Sequence, residues 1–249
     1  MLFVMTAVEK SGVAFQTLKA ARGKIVESCQ ESCGFGADPM GEDIPAQLKK
    51  IMVIPVLTLP DADAAEPLAF ALAAGGLSCA EVTFRTPAAP EAIRRMAGIP
   101  GILVGAGTVT TPVQVRQAFD LGARFVVSPG FSPSVAAECR KLGLFALPGV
   151  CTPTEIMAAA AEGFSMVKFF PAEAFGGVKT LKALCGPFAG IDFVPTGGIT
   201  AGNLREYLAL PRVAACGASW MAEPALLAGR DWAEIERRAR AASELAFRR

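Results

Sequence analysis

The sequence predicts a closed (β/α)8 barrel, on two observations. From Ile51 onward, short β-branched or aromatic runs alternate with Ala-rich stretches of helical length, eight times in succession. Strand–helix alternation implies parallel strands joined by crossover helices. Eight such units need about 200 residues or more, and this chain has 249. The barrel is expected over residues 42–249.

The expected strands are Met52–Leu57, Ala80–Phe84, Ile102–Gly105, Arg124–Ser128, Leu144–Leu147, Met166–Phe170, Asp192–Pro195 and Val213–Cys216. Helix starts support the series. Thr111-Pro112, Ser132-Pro133 and Thr152-Pro153 each set an N-cap hydroxyl before a proline at the first helical position. Thr152 and Glu155 also have capping-box spacing.

Residues 1–41 lack this rhythm and are expected to be a poorly ordered extension. They hold a short helical pattern, Val13 to Cys29, then Gly34-Phe35-Gly36 and Asp38-Pro39, and Met40 offers a second start. A regulatory or docking segment is the alternative. The Met1–Val8 run is too brief for a signal peptide and has no basic region before it. The apolar stretch from Pro67 to Ala80 is broken at Gly75-Gly76 and falls short of the ~20 residues a membrane span needs.

Composition narrows the chemistry. A formal charge of +1 gives no electrostatic reason to expect a nucleic acid or an anionic membrane as partner. The chain contains no histidine, which removes His-dependent nucleophilic triads, His-ligated zinc and His proton shuttles. Seven scattered cysteines (Cys29, Cys33, Cys79, Cys139, Cys151, Cys185 and Cys216) do not form a disulfide framework. Reduced thiols in a cytoplasm fit them. Cys151 and Cys216, near strand ends, read as small buried hydrophobes.

Barrel strands are covered on both faces and should be almost wholly apolar. Polar residues toward their C-terminal ends therefore point to a site. In the second strand Ala80, Val82 and Phe84 share the helix-facing side, and Glu81, Thr83 and Arg85 share the other. Glu81 and Arg85 form either an internal ion pair filling the barrel or a general base with an anion anchor. In the sixth, Phe164, Met166, Lys168 and Phe170 share a face. Burial disfavours an ammonium's charged form, and a neutral amine attacks carbonyls to form Schiff bases. Lys168 is either such a nucleophile or a lysine that reaches the rim or pairs with Glu81. Thr196-Gly197-Gly198 and Gly217-Ala218-Ser219 close the last two strands, where barrels commonly bind phosphate through backbone N–H groups. Gly105-Ala106-Gly107-Thr108 puts small residues and a hydroxyl at the mouth of the third, or serves close helix–strand packing.

Six segments occur together in order: Glu81-Val82-Thr83-Phe84-Arg85-Thr86-Pro87, Gly105-Ala106-Gly107-Thr108-Val109, Ser128-Pro129-Gly130, Lys168-Phe169-Phe170-Pro171-Ala172-Glu173, Pro195-Thr196-Gly197-Gly198-Ile199 and Gly217-Ala218-Ser219-Trp220. With them the chain, from Ile51 on, resembles the 2-keto-3-deoxy-6-phosphogluconate (KDPG) and 4-hydroxy-2-oxoglutarate (KHG) aldolase family. The resemblance implies a class I aldolase barrel, a homotrimer, and chemistry that needs no metal or cofactor. By the same match Lys168 falls on the Schiff-base lysine and Glu81 on the general acid/base. Arg85 and Thr108 fall on carboxylate-holding positions. Thr196, Gly197, Gly198 and Ser219 fall on substrate-binding loops, the last three on the phosphate site.

The chain departs from some relatives in having Leu57-Thr58-Leu59, with no basic residue, at the end of the first strand. Galactonate-type relatives typically lack the arginine four after the glutamate, so Arg85 favours the gluconate type. The implied reaction cleaves a phosphorylated keto acid to pyruvate and glyceraldehyde 3-phosphate, with 4-hydroxy-2-oxoglutarate as a further substrate. Two other readings fit the barrel: a phosphosugar isomerase or epimerase with an electrostatic Lys168, and a non-catalytic trimeric binding protein.

Overall fold

The computed structural model describes residues 43–247. The expectations for residues 1–41, including the Val13–Cys29 helix and the cysteines within it and after it, lie outside the described residues.

The strands are β1 (Val53–Leu57), β2 (Cys79–Thr83), β3 (Leu103–Gly107), β4 (Phe125–Val127), β5 (Phe145–Leu147), β6 (Gly149–Val150), β7 (Met166–Phe169), β8 (Asp192–Pro195) and β9 (Cys216–Ala218). All pairings are parallel. One run has the order β5-β4-β3-β2-β1-β9 and the other β6-β7-β8. Bridges Phe193↔Val213 and Thr196↔Gly217 join β8 to the β9 segment. At the other seam only Pro148 separates β5 from β6. Proline has no N–H to give to a ladder, but its carbonyl still accepts from Lys168 N at 2.8 Å. β5 and β6 are thus two halves of one barrel strand, and the ring is the expected eight-stranded barrel.

The helices are α1 (Ile44–Ile51), α2 (Ala65–Ala74), α3 (Ala89–Ala97), α4 (Pro112–Asp120), α5 (Pro133–Leu142), α6 (Pro153–Ala161), α7 (Gly177–Cys185), α8 (Leu204–Leu208), α9 (Pro224–Gly229) and α10 (Trp232–Phe247). The three expected caps are present. Thr111, Ser132 and Thr152 accept from the amides of Gln114, Val135 and Glu155. Glu155 accepts in return from Thr152 N at 2.9 Å, which completes the capping box. Such a cap typically contributes about 1 kcal/mol.

Two cores result from the strand alternation. Ala80 and Val82 join the outer core between sheet and helices. Ile54, Cys79, Leu103, Phe125, Val127, Leu147, Met166, Val194 and Ala215 fill the inside. Helix α1 closes the N-terminal end of this inner core with Ile44, Leu48 and Ile51. Their spacing of four and three residues places them on one helical face. Lys49 anchors α1 to Asp192 at the start of β8, at 2.7 Å.

Phe164 departs from the expected inner face. Strand β7 begins only at Met166, so the alternation does not reach back to Phe164. That ring packs against the outer core and meets Phe131 edge-on at 6.2 Å. The last strand also lies later than expected, at Cys216–Ala218 rather than Val213–Cys216. Gly217 weakens the strand pattern in the sequence, yet the packing needs it. A Cβ there would lie 2.3 Å from Thr196 Oγ1.

Candidate active site

Lys168 and Glu81 meet inside the barrel. Each comes from the inward face of its strand, β7 and β2, and each is almost fully buried, at 5% and 2% exposure. Lys168 Nζ donates to Glu81 Oε1 at 3.2 Å. Of the two readings of strand two, the internal Glu–Arg pair is not what forms: the partner of Glu81 is Lys168. Removing one member of a buried pair typically costs about 3–5 kcal/mol, because the other charge is left uncompensated. The ring of Phe170 lies beside the ammonium, 5.1 Å from Nζ to its centroid. Its negative face favours a cation there. Sequence reasoning placed Phe170 on the right side of the strand without giving it this contact.

Glu81 is held from β3 by a residue that sequence reasoning valued only for its smallness. A Cβ on Gly107 would lie 2.3 Å from Glu81 Oε1 and 2.7 Å from its Cγ. The carboxylate occupies space that only glycine leaves open. One layer lower, the Phe125 ring fills the space beside Gly105, where a Cβ would lie 2.3 Å from it. This aromatic floor separates the ion pair from the α1 end.

Arg85 lies beyond the strand, which ends at Thr83, and is exposed in the turn that follows. The turn brings it to Thr108, whose Oγ1 accepts from Arg85 Nε at 3.2 Å. Thr108 has φ +56°. A β-branched residue adopts that conformation only under strain, which is characteristic of functional positions. Thr83, inward and fully buried, donates to the Leu57 carbonyl at 2.9 Å. Its one proton is used there, so at the 2.9 Å contact Thr58 Oγ1 donates to Thr83 Oγ1.

A cleft of about 260 Å³ opens above this ion pair at the C-terminal ends of the strands. Its walls include Val56, Thr58, Arg85, Phe170, Thr196, Gly197, Gly198, Ser219 and Glu223. Lys168 and Glu81 are not among its walls; they sit one pleat below, under Phe170. The cleft therefore gathers Arg85 with both glycine loops, while Thr108 reaches it through Arg85. Gly197 and Gly198 have φ +99° and +79°. Among the described residues, the amides of Gly198 and Ser219 have no backbone acceptor, while the bridge to Gly217 engages that of Gly197. Inward N–H groups of this kind form an anion-binding concavity. Glu223 is the one acidic wall residue, and Arg238 binds it at 2.8 Å.

Among the described residues the cysteines do not supply an activated thiol. Burial, with the charge of Glu81 added, pushes the Cys79 thiol far above its ordinary range. Burial does the same for Cys216. Cys151 is half-buried rather than buried; desolvation and its contact with Glu155 push it up to about 11.

Chemically, the arrangement offers an amine with a proton acceptor in contact, a cation and hydroxyl at the rim, and an amide-lined pocket for a second anionic group. The family model for KDPG and KHG aldolase matches residues 44–238. The chain is 48% identical to the 2-dehydro-3-deoxy-phosphogluconate aldolase of Haemophilus influenzae, over 79% of this chain and 93% of that protein. It is 42% identical to the KHG/KDPG aldolase of Escherichia coli K12, over 77% and 91%. Among solved structures, a KDPG aldolase from Legionella pneumophila, with pyruvate captured as a covalent carbinolamine, superposes with a TM-score of 0.78 at 39% identity, covering 80% of this chain and 98% of that one. Similarity of this extent, over the whole barrel and its buried lysine strand, means that the chain belongs to the KDPG and KHG aldolase family.

Proposed function

We propose that this protein is a class I aldolase that cleaves 2-dehydro-3-deoxy-6-phosphogluconate to pyruvate and D-glyceraldehyde 3-phosphate. The observation that carries this reading is the buried contact of Lys168 Nζ with Glu81 Oε1 at 3.2 Å, beneath a cleft lined by Arg85 and the glycine loops. As keto acid enters, the proton on Nζ passes to Glu81, and the free amine attacks the C2 ketone. Glu81 returns a proton to the carbinolamine oxygen, which leaves as water, and a protonated imine forms. The C4 hydroxyl then gives its proton to Glu81, once more a carboxylate, the C3–C4 bond breaks, and its electron pair moves into the imine. Glyceraldehyde 3-phosphate departs, and Glu81 returns that proton to C3 of the enamine left on Lys168. Water adds to the imine and releases pyruvate.

Arg85, aligned by Thr108, holds the substrate carboxylate. The Gly197–Gly198 turn and Ser219, with Thr196 beside them, receive the phosphate on the amides that no backbone carbonyl engages. The E. coli relative's name favours a second activity, on 4-hydroxy-2-oxoglutarate. A homotrimer working in a reducing cytoplasm suits the family and the unpaired thiols. No helix among the described residues is long and apolar enough to cross a membrane.

The direct test follows both products as purified protein meets 2-dehydro-3-deoxy-6-phosphogluconate. Equimolar pyruvate and glyceraldehyde 3-phosphate are expected; an isomerised or unchanged sugar acid would exclude the reading. The Gly107 contact adds a sharper prediction. Gly107→Ala pushes the Glu81 carboxylate off Nζ. Misplacing a catalytic group by about 1 Å costs on the order of 10²-fold in kcat. Gly190→Ala, where a Cβ meets nothing within 4 Å, serves as the control and is expected to keep wild-type turnover.

A further inference from the structure

We propose that Tyr207 and Glu173, which take no part in the chemistry above, are positioning residues that aim the phosphate-binding amides of the Gly197–Gly198 turn and so set the preference for a phosphorylated substrate. The proposal rests on the aldolase reading and adds a determinant of specificity to it.

Both glycine carbonyls of the turn are tied back into the protein. Gly197 O accepts from Glu173 N at 3.1 Å, and Gly198 O accepts from Asn203 Nδ2 at 3.0 Å. A trans peptide is planar, with its C=O and N–H pointing in opposite directions. A carbonyl tied back into the protein therefore turns the N–H of the same peptide unit outward. The Gly197 carbonyl shares its peptide with the Gly198 amide, and the Gly198 carbonyl with that of Ile199. Both Gly198 and Ile199 line the cleft. Anchoring the two carbonyls thus aims the two amides.

The Glu173 side chain stands behind the turn. A Cβ on Gly198 would lie 2.5 Å from Glu173 Cγ and 2.6 Å from its Cβ. The Glu173 stem fills the space that glycine leaves, so it backs the turn as well as holding its carbonyl. Glu173 is itself exposed and lies in a short 3-10 turn, and an exposed glutamate is ordinarily free to change rotamer. This one is fixed from below. Its Oε1 accepts from the hydroxyl of Tyr207, which is completely buried. Burial and the Glu173 charge hold the Tyr207 phenol far above its ordinary range, so it remains a proton donor at every assay pH. Asn203 and Tyr207 lie at the cap and in the body of the same helix, α8. One short helix therefore secures the turn at two points.

Losing the Tyr207 hydroxyl frees the Glu173 side chain to leave its place behind Gly198. Only the part of the substrate held by the amides should be affected. The test compares 2-dehydro-3-deoxy-6-phosphogluconate with its unphosphorylated counterpart, with inorganic phosphate as a competing ligand. A hydrogen bond to a charged group contributes enough that Tyr207→Phe is expected to raise KM for the phosphorylated substrate about tenfold, leaving kcat unchanged. The inhibition constant of inorganic phosphate should rise in step, and kinetics on the unphosphorylated substrate should stay as in wild type. Glu173→Gln keeps an acceptor for Tyr207 and should preserve the wild-type KM. Glu173→Met keeps the stem without the acceptor and should reproduce Tyr207→Phe, so the inference can be decided even if the tyrosine variant does not fold. Equal losses on both substrates, or an unaltered phosphate KM in Tyr207→Phe and Glu173→Met, would overturn it. A wild-type protein that cleaves neither substrate would overturn the aldolase reading and this inference together.

Discussion

Replacement of Lys168 by alanine is expected to abolish aldol cleavage, with a loss on the order of 10⁴-fold or more, as when a covalent nucleophile is removed. The loss should appear in kcat and should not respond to substrate concentration. It has a structural companion. Glu81 is 2% exposed and its ion-pair partner is Lys168, so removing the amine strands a buried carboxylate and lowers stability by about 3–5 kcal/mol. The two effects separate in a double variant. Lys168→Met with Glu81→Gln leaves no uncompensated charge and should recover much of the stability while remaining inactive. Thermal unfolding beside turnover, in the single and double variants, checks both parts. An isomerase in which Lys168 is only electrostatic would retain measurable activity in Lys168→Met, and that result would exclude covalent chemistry.

Glu81→Gln is expected to separate bond formation from proton transfer. The amide still accepts from Nζ, so the lysine stays in place and can still be trapped with pyruvate. What it cannot do is carry protons between Nζ, the carbinolamine oxygen and C3. Each general acid/base transfer contributes about 10²–10⁴-fold, so kcat should fall within that range and adduct formation should slow without vanishing. Single-turnover kinetics with pyruvate, next to steady-state cleavage, distinguishes this from a misfolded enzyme, which would lose both alike.

Both expectations depend on side chains that strand alternation had already put in the barrel. Glu81 and Lys168 were legible because each interrupts an apolar run, and because a two-residue period leaves an inward residue no other direction. Arg85 was assigned to the same face, but its position comes from the turn after Thr83, a place alternation does not reach. Its partnership with Thr108 depends on a positive φ at a β-branched residue, which no propensity favours. The break at Pro148 could be read from its missing N–H. That β6 resumes immediately after it could not, because two residues make no pattern. Helix α1 carried a signal in the spacing of Ile44, Leu48 and Ile51, but one short amphipathic stretch before the first strand does not reveal which end of a barrel it closes. Gly107 illustrates the general difficulty. Its smallness was visible, and its reason, a carboxylate from the neighbouring strand, belongs to the assembled sheet.

Borohydride reduction of the protein with pyruvate, followed by intact mass and peptide mapping, tests the Schiff-base role of Lys168. One stable pyruvate-sized adduct per chain is expected, on the peptide containing Lys168, and none in Lys168→Ala. Folded protein that gains no adduct, or gains it on another lysine, would rule out Lys168 as the Schiff-base lysine.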